Sequence, residues 1–179
     1  YREPEALGGN DPYSASKACS EIITHSYMKS YFVDTLVKVS TARAGNVIGG
    51  GDMSPDRLIP DYLRAISHGG ELTIRNPLAT RPWQHVLEPL SGYLNLAEKM
   101  FLNISDEYTG AWNFGPSDDP ASVGEVISKI SNIAQRTNFK IDEGSNPHEA
   151  QSLMLDSAKA RSKLGWRPKL NLDQSLKMT

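Results

Sequence analysis

The sequence has little cysteine, almost no net charge and no long apolar run. Its single cysteine, Cys19, excludes an internal disulfide framework. The 19 basic and 21 acidic residues leave a net charge of -2, which gives no electrostatic footprint for nucleic acid, so we predict no nucleic-acid partner. No apolar run approaches the roughly 18 residues that cross a bilayer, which predicts no membrane segment. A hydrophobic content of 39% over 179 residues fits an ordinary globular chain.

The sequence also lacks the usual signatures of a dinucleotide-binding turn and of a metal site. The run Gly49–Gly51 follows a predicted strand without the GxGxxG spacing, so we interpret it as a substrate loop. His85 and His148 have no neighbours at metal-ligand spacing, which predicts no metal site. Cys19 lies inside a predicted helix, and we interpret it as a buried packing residue rather than a nucleophile.

Predicted strands and helices alternate along the chain, which indicates an α/β architecture. Helical spacing of apolar residues, caps and terminal glycines predict helices over 13–32, 58–69, from about Glu88, over 122–137, and from Asp156 to Gly165. Runs typical of strands occupy 35–48, 71–76, 111–116 and the segment from Ser152. The apolar stripe from Val123 to Ile133 is predicted to be core.

Tyr13 and Lys17 form the local feature with the most direct chemical meaning. They lie at a predicted helix start, and a spacing of four residues puts them on one helix face. An ammonium beside a phenol stabilises the phenolate, which can then act as a general base toward a hydroxyl group. The alternative is a surface pair without a role, because this spacing occurs by chance in many proteins.

Three arginines and one asparagine are candidate ligands for a phosphorylated sugar. Arg57, Arg75 and Arg81 lie in or beside predicted loops, and a guanidinium binds phosphate through paired, charge-assisted hydrogen bonds. The amide of Asn46 can donate to phosphate and accept from a sugar hydroxyl. Each arginine can equally be an exposed solubilising charge, and Asn46 can simply cap a turn beside Gly45.

The segment NDPYSASKACSE resembles the active-site segment of the extended short-chain dehydrogenase/reductase superfamily. Further stretches resemble its nucleotide-sugar branch in the same order along the chain: ARAGNVIGGGD, RLIP, RPWQHVLEP, WNFGP and the closing DSAKARSKLGWRP. The resemblance covers essentially the whole chain. Within the branch, the amino-acid sequence of these motifs is most similar to that of the 4,6-dehydratases that take a CDP-sugar.

The resemblance implies a role for each of these motifs. Tyr13 and Lys17 are both expected to be catalytic and to contact an NAD cofactor, with Tyr13 as the base and Lys17 holding the ribose. The residues expected to bind the CDP-sugar substrate are Asn46, Arg57, Leu58, Arg75, Arg81, His148 and Glu149. Trp83 and His85 are interpreted as support for the neighbouring loop.

The resemblance further implies a dehydratase reaction in three stages. These are transient oxidation at C4, loss of water across C5 and C6, and return of the hydride to C6. It also implies a cytoplasmic enzyme of deoxysugar synthesis for bacterial surface polysaccharide such as lipopolysaccharide O-antigen, acting as a homodimer or tetramer. The alternatives are a related epimerase or reductase, or a non-catalytic nucleotide-sugar-binding module.

The resemblance also implies a division into domains. The chain is expected to be the C-terminal part of a Rossmann-like NAD-binding sheet, interleaved with a small α/β substrate-binding domain. Residues 1–60 and 86–118 are assigned to the sheet, and residues 61–85 and 119–179 to the nucleotide-sugar lobe. Because the glycine-rich NAD turn of such enzymes lies well upstream of the tyrosine, the chain alone is expected to be inactive.

Overall fold

A computed structural model describes residues 1–103, 105–136, 139–142 and 152–179. The helices are α1 (Pro12–Tyr31), α2 (Leu58–Ser67), α3 (Leu87–Leu102), α4 (Val123–Ala134) and α5 (Leu172–Met178). The strands are β1 (Ser40–Ala44), β2 (Asn46–Ile48), β3 (Leu72–Ile74), β4 (Thr80–Arg81), β5 (Trp83–His85), β6 (Gly110–Phe114), β7 (Ala121–Ser122) and β8 (Phe139–Ile141). Among the residues described, no helix is both long and apolar enough to span a membrane.

Most of the strands pair in parallel with a strand distant in sequence. β1 pairs with β6, β2 with β5 and β3 with β8, all in parallel. β4 and β7 form a short antiparallel pair. Parallel pairs separated by helices are typical of α/β proteins, so the predicted fold class is confirmed.

The chain divides into two compact units that are interlaced in sequence. Unit 1 comprises Tyr1–Ala44, Leu90–Phe114 and Asp156–Arg167. Unit 2 comprises Gly45–Pro89, Gly115–Leu155 and Pro168–Thr179. The assignment of 1–60 and 86–118 to an NAD-binding sheet, and of 61–85 and 119–179 to a substrate lobe, stays a prediction.

Unit 1 has an aromatic core on strand β6. Trp112 and Phe114 are fully buried, and Phe114 meets Trp166 edge to face with ring centroids 5.1 Å apart. Helix α3 passes so close to this core that a Cβ on Gly92 would lie 2.3 Å from the Phe114 ring. A glycine is therefore needed at position 92.

Unit 2 has one hydrophobic core, to which helix α4 contributes together with α2, α5, β3 and β5. Val126, Ile127 and Ile130 of the predicted stripe are buried, and a capping box between Ser122 and Glu125 fixes the helix start. Ile133 is 43% exposed, so the prediction that the stripe is core throughout is wrong at that end. The reason is that Ile133 lies at the edge of the buried face of α4, whereas the next residue, Ala134, packs against the core.

The predicted strand over 35–48 is shorter and broken. It begins at Ser40, and Gly45 separates β1 of unit 1 from β2 of unit 2. A Cβ at Gly45 would lie 2.3 Å from the carbonyl oxygen of Pro82, so only glycine permits this close approach of two backbone segments. Periodicity alone could not reveal this break, because the close contact is with a segment far along the chain.

The prediction that Cys19 is buried is wrong. Cys19 is exposed, whereas its neighbour Ala18 is the buried residue of α1. Successive residues of a helix point about 100° apart, so burying Ala18 turns Cys19 away from the unit interior.

Asp156 begins the last helical segment of unit 1, as predicted. Its Oδ1 accepts the backbone N–H of Ala158 at 2.7 Å. The turn that follows, Ala160–Leu164, is π-helical and ends at Gly165 in the left-handed region with φ 66°. The Ala158 N–H, then the Arg2 and Arg161 guanidinium groups, hold the pKa of the Asp156 carboxyl below its usual value.

We expect Asp156 to make the protein more stable at neutral than at acid pH. Since folding depresses this pKa, the contribution is complete above about pH 5 and is lost as pH falls through the folded-state pKa. Urea unfolding of the wild type and of Asp156→Asn, from pH 7 to pH 3, should show a stability difference that shrinks toward acid pH. The exposed Asp34 supplies a control, Asp34→Asn. A difference that is constant over the range would contradict the expectation.

Candidate active site

The start of α1 places Tyr13 and Lys17. Asp11 caps the helix by accepting the Ser14 N–H at 2.9 Å and the Ser14 hydroxyl at 2.6 Å, and Pro12 occupies the first turn. These Ser14 hydrogen bonds, the hydroxyl first, hold the pKa of the Asp11 carboxyl below its usual value. The helix that presents Tyr13 and Lys17 is thereby fixed at its first residue.

Tyr13 and Lys17 are adjacent, as their spacing predicts. The Nζ of Lys17 lies 5.4 Å from the centroid of the Tyr13 ring, and the Tyr13 side chain is 71% exposed. A cation at this distance can interact with the face of the ring. The pair thus presents a phenol and an ammonium to any ligand bound at the start of α1.

Glu21, four residues after Lys17, forms an ion pair that the sequence reasoning missed. Arg43 of β1 donates to both of its carboxylate oxygens, through Nε and Nη2, at 2.5 Å each. The hydrogen bonds that Arg43 donates to Glu21 are the main reason that the pKa of the Arg43 guanidinium lies above its usual value. The signal in the sequence was that Glu21 continues the four-residue spacing of Tyr13 and Lys17 on the same helix face.

In unit 2, Arg57 lies at the end of an ordered loop. It is the residue just before α2, and its Nη1 donates to Oδ2 of Asp52 at 3.1 Å. Oδ1 of Asp52 accepts the Ser54 N–H at 3.0 Å. These donors, with Ser54 first, hold the pKa of Asp52 below its usual value. The Arg57 side chain remains 61% exposed, so its guanidinium is open to an anionic ligand.

Arg64, also missed in the sequence, ties this loop to α2. Its Nη1 donates to the carbonyl of Met53 at 3.0 Å, and Nη2 to the carbonyl of Ser54 at 3.1 Å. Nη2 also contacts Asp61 on the same helix. Nothing in the local sequence pattern distinguishes Arg64 from a solvated helix charge, because its partners are backbone carbonyls.

Asn46 and Arg81 lie on backbone segments that are linked through Pro82, the residue between β4 and β5. The backbone N–H of Asn46 donates to the Pro82 carbonyl at 3.0 Å, and Asn46 pairs with Trp83. Arg81 of β4 pairs with Ala121 of β7, and the Nη1 of Arg81 donates to the Thr80 carbonyl at 2.9 Å. Two of the predicted substrate residues therefore belong to neighbouring backbone segments of unit 2.

The other predicted substrate residues have different surroundings. Leu58, the first residue of α2, is half-buried and packs against the unit 2 core. Arg75 is exposed and directly follows β3. His148 and Glu149 lie outside the described residues. The role of each residue stays a prediction.

Trp83 and His85 are buried in β5. The Trp83 indole donates to the Ala121 carbonyl at 3.1 Å, and Nδ1 of His85 accepts the Leu87 N–H at 3.3 Å. Within the described ranges, no group of three His, Cys, Asp or Glu side chains is placed to hold a metal ion.

Comparison with known sequences identifies relatives among sugar-nucleotide enzymes. The chain is 43% identical to CDP-glucose 4,6-dehydratase of Salmonella typhimurium, over 98% of this chain and 51% of that protein. It is 28% identical to dTDP-D-glucose 4,6-dehydratase of Dictyostelium discoideum, over 74% of this chain and 28% of that protein. The chain thus spans about half the length of its Salmonella relative, and its correspondence to the C-terminal half stays a prediction.

Solved structures show the same fold. A dTDP-glucose 4,6-dehydratase from Bacillus anthracis in complex with NAD matches with a TM-score of 0.80 and 22% identity, over 99% of this chain and 53% of the other. MoeE5 in complex with UDP-glucuronic acid and NAD matches with a TM-score of 0.85 and 22% identity, over 100% and 57%.

The resemblance to the nucleotide-sugar branch is confirmed over the full length of the chain. A sequence model of one family, described as GDP-mannose 4,6 dehydratase, matches residues 1–179. The chain belongs to the GDP-mannose 4,6 dehydratase family.

Proposed function

We propose that the protein containing this chain is an NAD-dependent nucleotide-sugar 4,6-dehydratase whose substrate is CDP-glucose. The observation that carries the proposal is the exposed Tyr13–Lys17 pair at the capped start of α1, in a chain of this family. The 43% identity to the Salmonella enzyme supports CDP-glucose rather than another nucleotide sugar. The products would be CDP-4-dehydro-6-deoxyglucose and water.

Tyr13 and Lys17 fit the reactive end of NAD. The exposed ammonium of Lys17 offers three donors, which suit ribose hydroxyls, beside the exposed Tyr13 phenol. The sequence contains no GxGxxG turn, so the cofactor pyrophosphate would be held by residues outside this chain. When bound, NAD supplies the temporary oxidation of the sugar at C4 and the hydrogen delivered to C6.

The proposed role of Tyr13 is to remove the proton of the C4 hydroxyl through its phenolate oxygen. Lys17 would place its positive charge beside the Tyr13 ring during this proton transfer. A ketone at C4 acidifies the hydrogen on C5, which permits loss of the C6 hydroxyl as water. The groups that move the C5 proton and protonate that leaving hydroxyl are not assigned to this chain.

The proposed substrate ligands lie mainly in unit 2. Guanidinium groups, exposed on Arg57 and Arg75 and half-buried on Arg81, suit the two phosphates of the substrate. The Asn46 amide suits a phosphate or a sugar hydroxyl. The proposed set is Asn46, Arg57, Leu58, Arg75, Arg81, His148 and Glu149. A cytoplasmic location and assembly as a homodimer or tetramer are proposed from the family resemblance.

An isotope experiment with the full-length protein tests the reaction. CDP-glucose carrying deuterium at C4 should yield a 6-deoxy product with that deuterium in the C6 methyl group, measured by NMR. An epimerase would return the label to C4 without loss of water. A reductase would consume reduced nicotinamide in stoichiometric amounts. Binding without turnover would indicate a nucleotide-sugar-binding module, and each of these three results would contradict the proposal.

The same assay tests the nucleobase. Parallel reactions with UDP-, dTDP- and GDP-sugars should be slower, as measured by kcat/KM, than the reaction with CDP-glucose. Preference for another nucleotide would contradict the substrate while leaving the dehydratase chemistry intact.

A further inference from the structure

The ion pair between Glu21 and Arg43 has a two-point geometry. Both hydrogen bonds measure 2.5 Å, and the side chains are only 19% and 21% exposed. A planar guanidinium that meets both carboxylate oxygens fixes orientation as well as distance. The pair is therefore suited to setting the angle between the two elements that carry it.

Those two elements are helix α1 and strand β1. Thr41 of the same strand adds a third contact, because its hydroxyl lies 3.3 Å from Oε2 of Glu21. Within this chain, apolar contacts hold α1 weakly, since Ala18 is its one buried residue and Ile22 and Ile23 are more than half exposed. The polar contacts of Glu21 therefore help to set how α1 is rotated about its axis.

Rotation of α1 would displace the Tyr13–Lys17 pair directly. Tyr13, Lys17 and Glu21 follow one another at four-residue spacing, so they share one side of the helix. A turn of about 10° moves a side-chain atom about 6 Å from the axis by about 1 Å. A displacement of that size at a reacting group can lower a rate by about 100-fold.

We propose that Glu21 and Arg43 are positioning residues, which hold α1 at the rotation that presents Tyr13 and Lys17 for reaction. They act through α1 and touch neither substrate nor cofactor. The inference rests on the proposed function, because it assigns Tyr13 the proton transfer at C4.

The test compares Glu21→Gln, Arg43→Met and the double variant in the full-length protein. We expect kcat for CDP-glucose to fall about 10- to 100-fold, with an unchanged KM, at a temperature well below unfolding. The deuterium isotope effect from C4 should rise, because the misplaced base makes the step at C4 rate-limiting. The double variant should be slower than the slower single variant by much less than the two separate effects combined, since each single variant already removes the Glu21–Arg43 contact.

The matched control is Glu107→Gln, which removes a more exposed ion pair of unit 1, to Lys163 at 3.8 Å. Its kcat and isotope effect should equal those of the wild type. Unchanged kinetics in Glu21→Gln and Arg43→Met would overturn the inference. It would also be overturned by a lower kcat with an unchanged isotope effect and a matching loss of folded protein, because that pattern indicates a purely structural role.

Hydrogen exchange separates this inference from the proposed function. Amides of α1 should exchange faster in Glu21→Gln than in the wild type, whereas amides of α4 should not change. The measurement needs no substrate. If the wild type dehydrates no nucleotide sugar, the proposed function is wrong, and the exchange of α1 alone then decides whether the pair anchors the helix.

Discussion

Replacing Tyr13 with Phe in the full-length protein is expected to lower kcat for CDP-glucose about 10²- to 10⁴-fold. The variant keeps the ring and the helix but loses the oxygen that would take the C4 hydroxyl proton. Because the proposed phosphate ligands Arg57 and Arg81 are untouched, the Kd for CDP should not change. Single-turnover transfer of deuterium from C4, followed by NMR, measures the chemical step directly.

Tyr31→Phe is the matched control for this variant. Tyr31 lies at the other end of α1 and is 67% exposed, compared with 71% for Tyr13. Its loss of a phenol oxygen should leave kcat unchanged. Normal turnover by Tyr13→Phe would remove Tyr13 from the mechanism, and weakened CDP binding would mean that the variant disturbs more than one hydroxyl group.

The neighbourhood of Tyr13 and Lys17 could be predicted because it depends on local geometry alone. A helix places residues four apart on one face whatever surrounds it. The cap by Asp11 and the start of the helix at Pro12 are features that the structure added. The alternation of helices and strands could also be predicted, because each element has its own periodicity of apolar residues.

Features that depend on contacts between distant segments could not be predicted. Glu21 and Arg43 are 22 positions apart and belong to different elements, and Arg64 bonds to backbone carbonyls that any sequence would supply. The break of the strand at Gly45 depends on the approach of Pro82. Burial could not be predicted for the same reason. Helical spacing defines the faces of α1 but does not show which face is covered, and the prediction that Cys19 is buried was therefore wrong.

Glu88 is a buried carboxylate that accepts hydrogen bonds from backbone groups in a distant segment of unit 2. It lies in the first turn of α3 and is 4% exposed. Its Oε1 accepts the N–H of Lys169 at 3.0 Å and that of Leu170 at 2.8 Å. Oε1 of Glu88 therefore links the segment leading into α5 to the start of α3.

Replacing Glu88 with Ala is expected to lower the free energy of unfolding by about 2–6 kcal/mol, because two N–H groups lose their acceptor at about 1–3 kcal/mol each. Glu88→Gln keeps an oxygen of similar reach and should lose a smaller part of that stability, since a neutral acceptor is weaker than a carboxylate. Urea unfolding of the full-length protein measures both, with Glu98→Ala on the exposed side of α3 as the control. If Glu88→Ala unfolded at the same urea concentration as Glu98→Ala, the two hydrogen bonds would contribute nothing to the free energy of unfolding. The C-terminal segment would then be held by the packing of Leu176 in the unit 2 core.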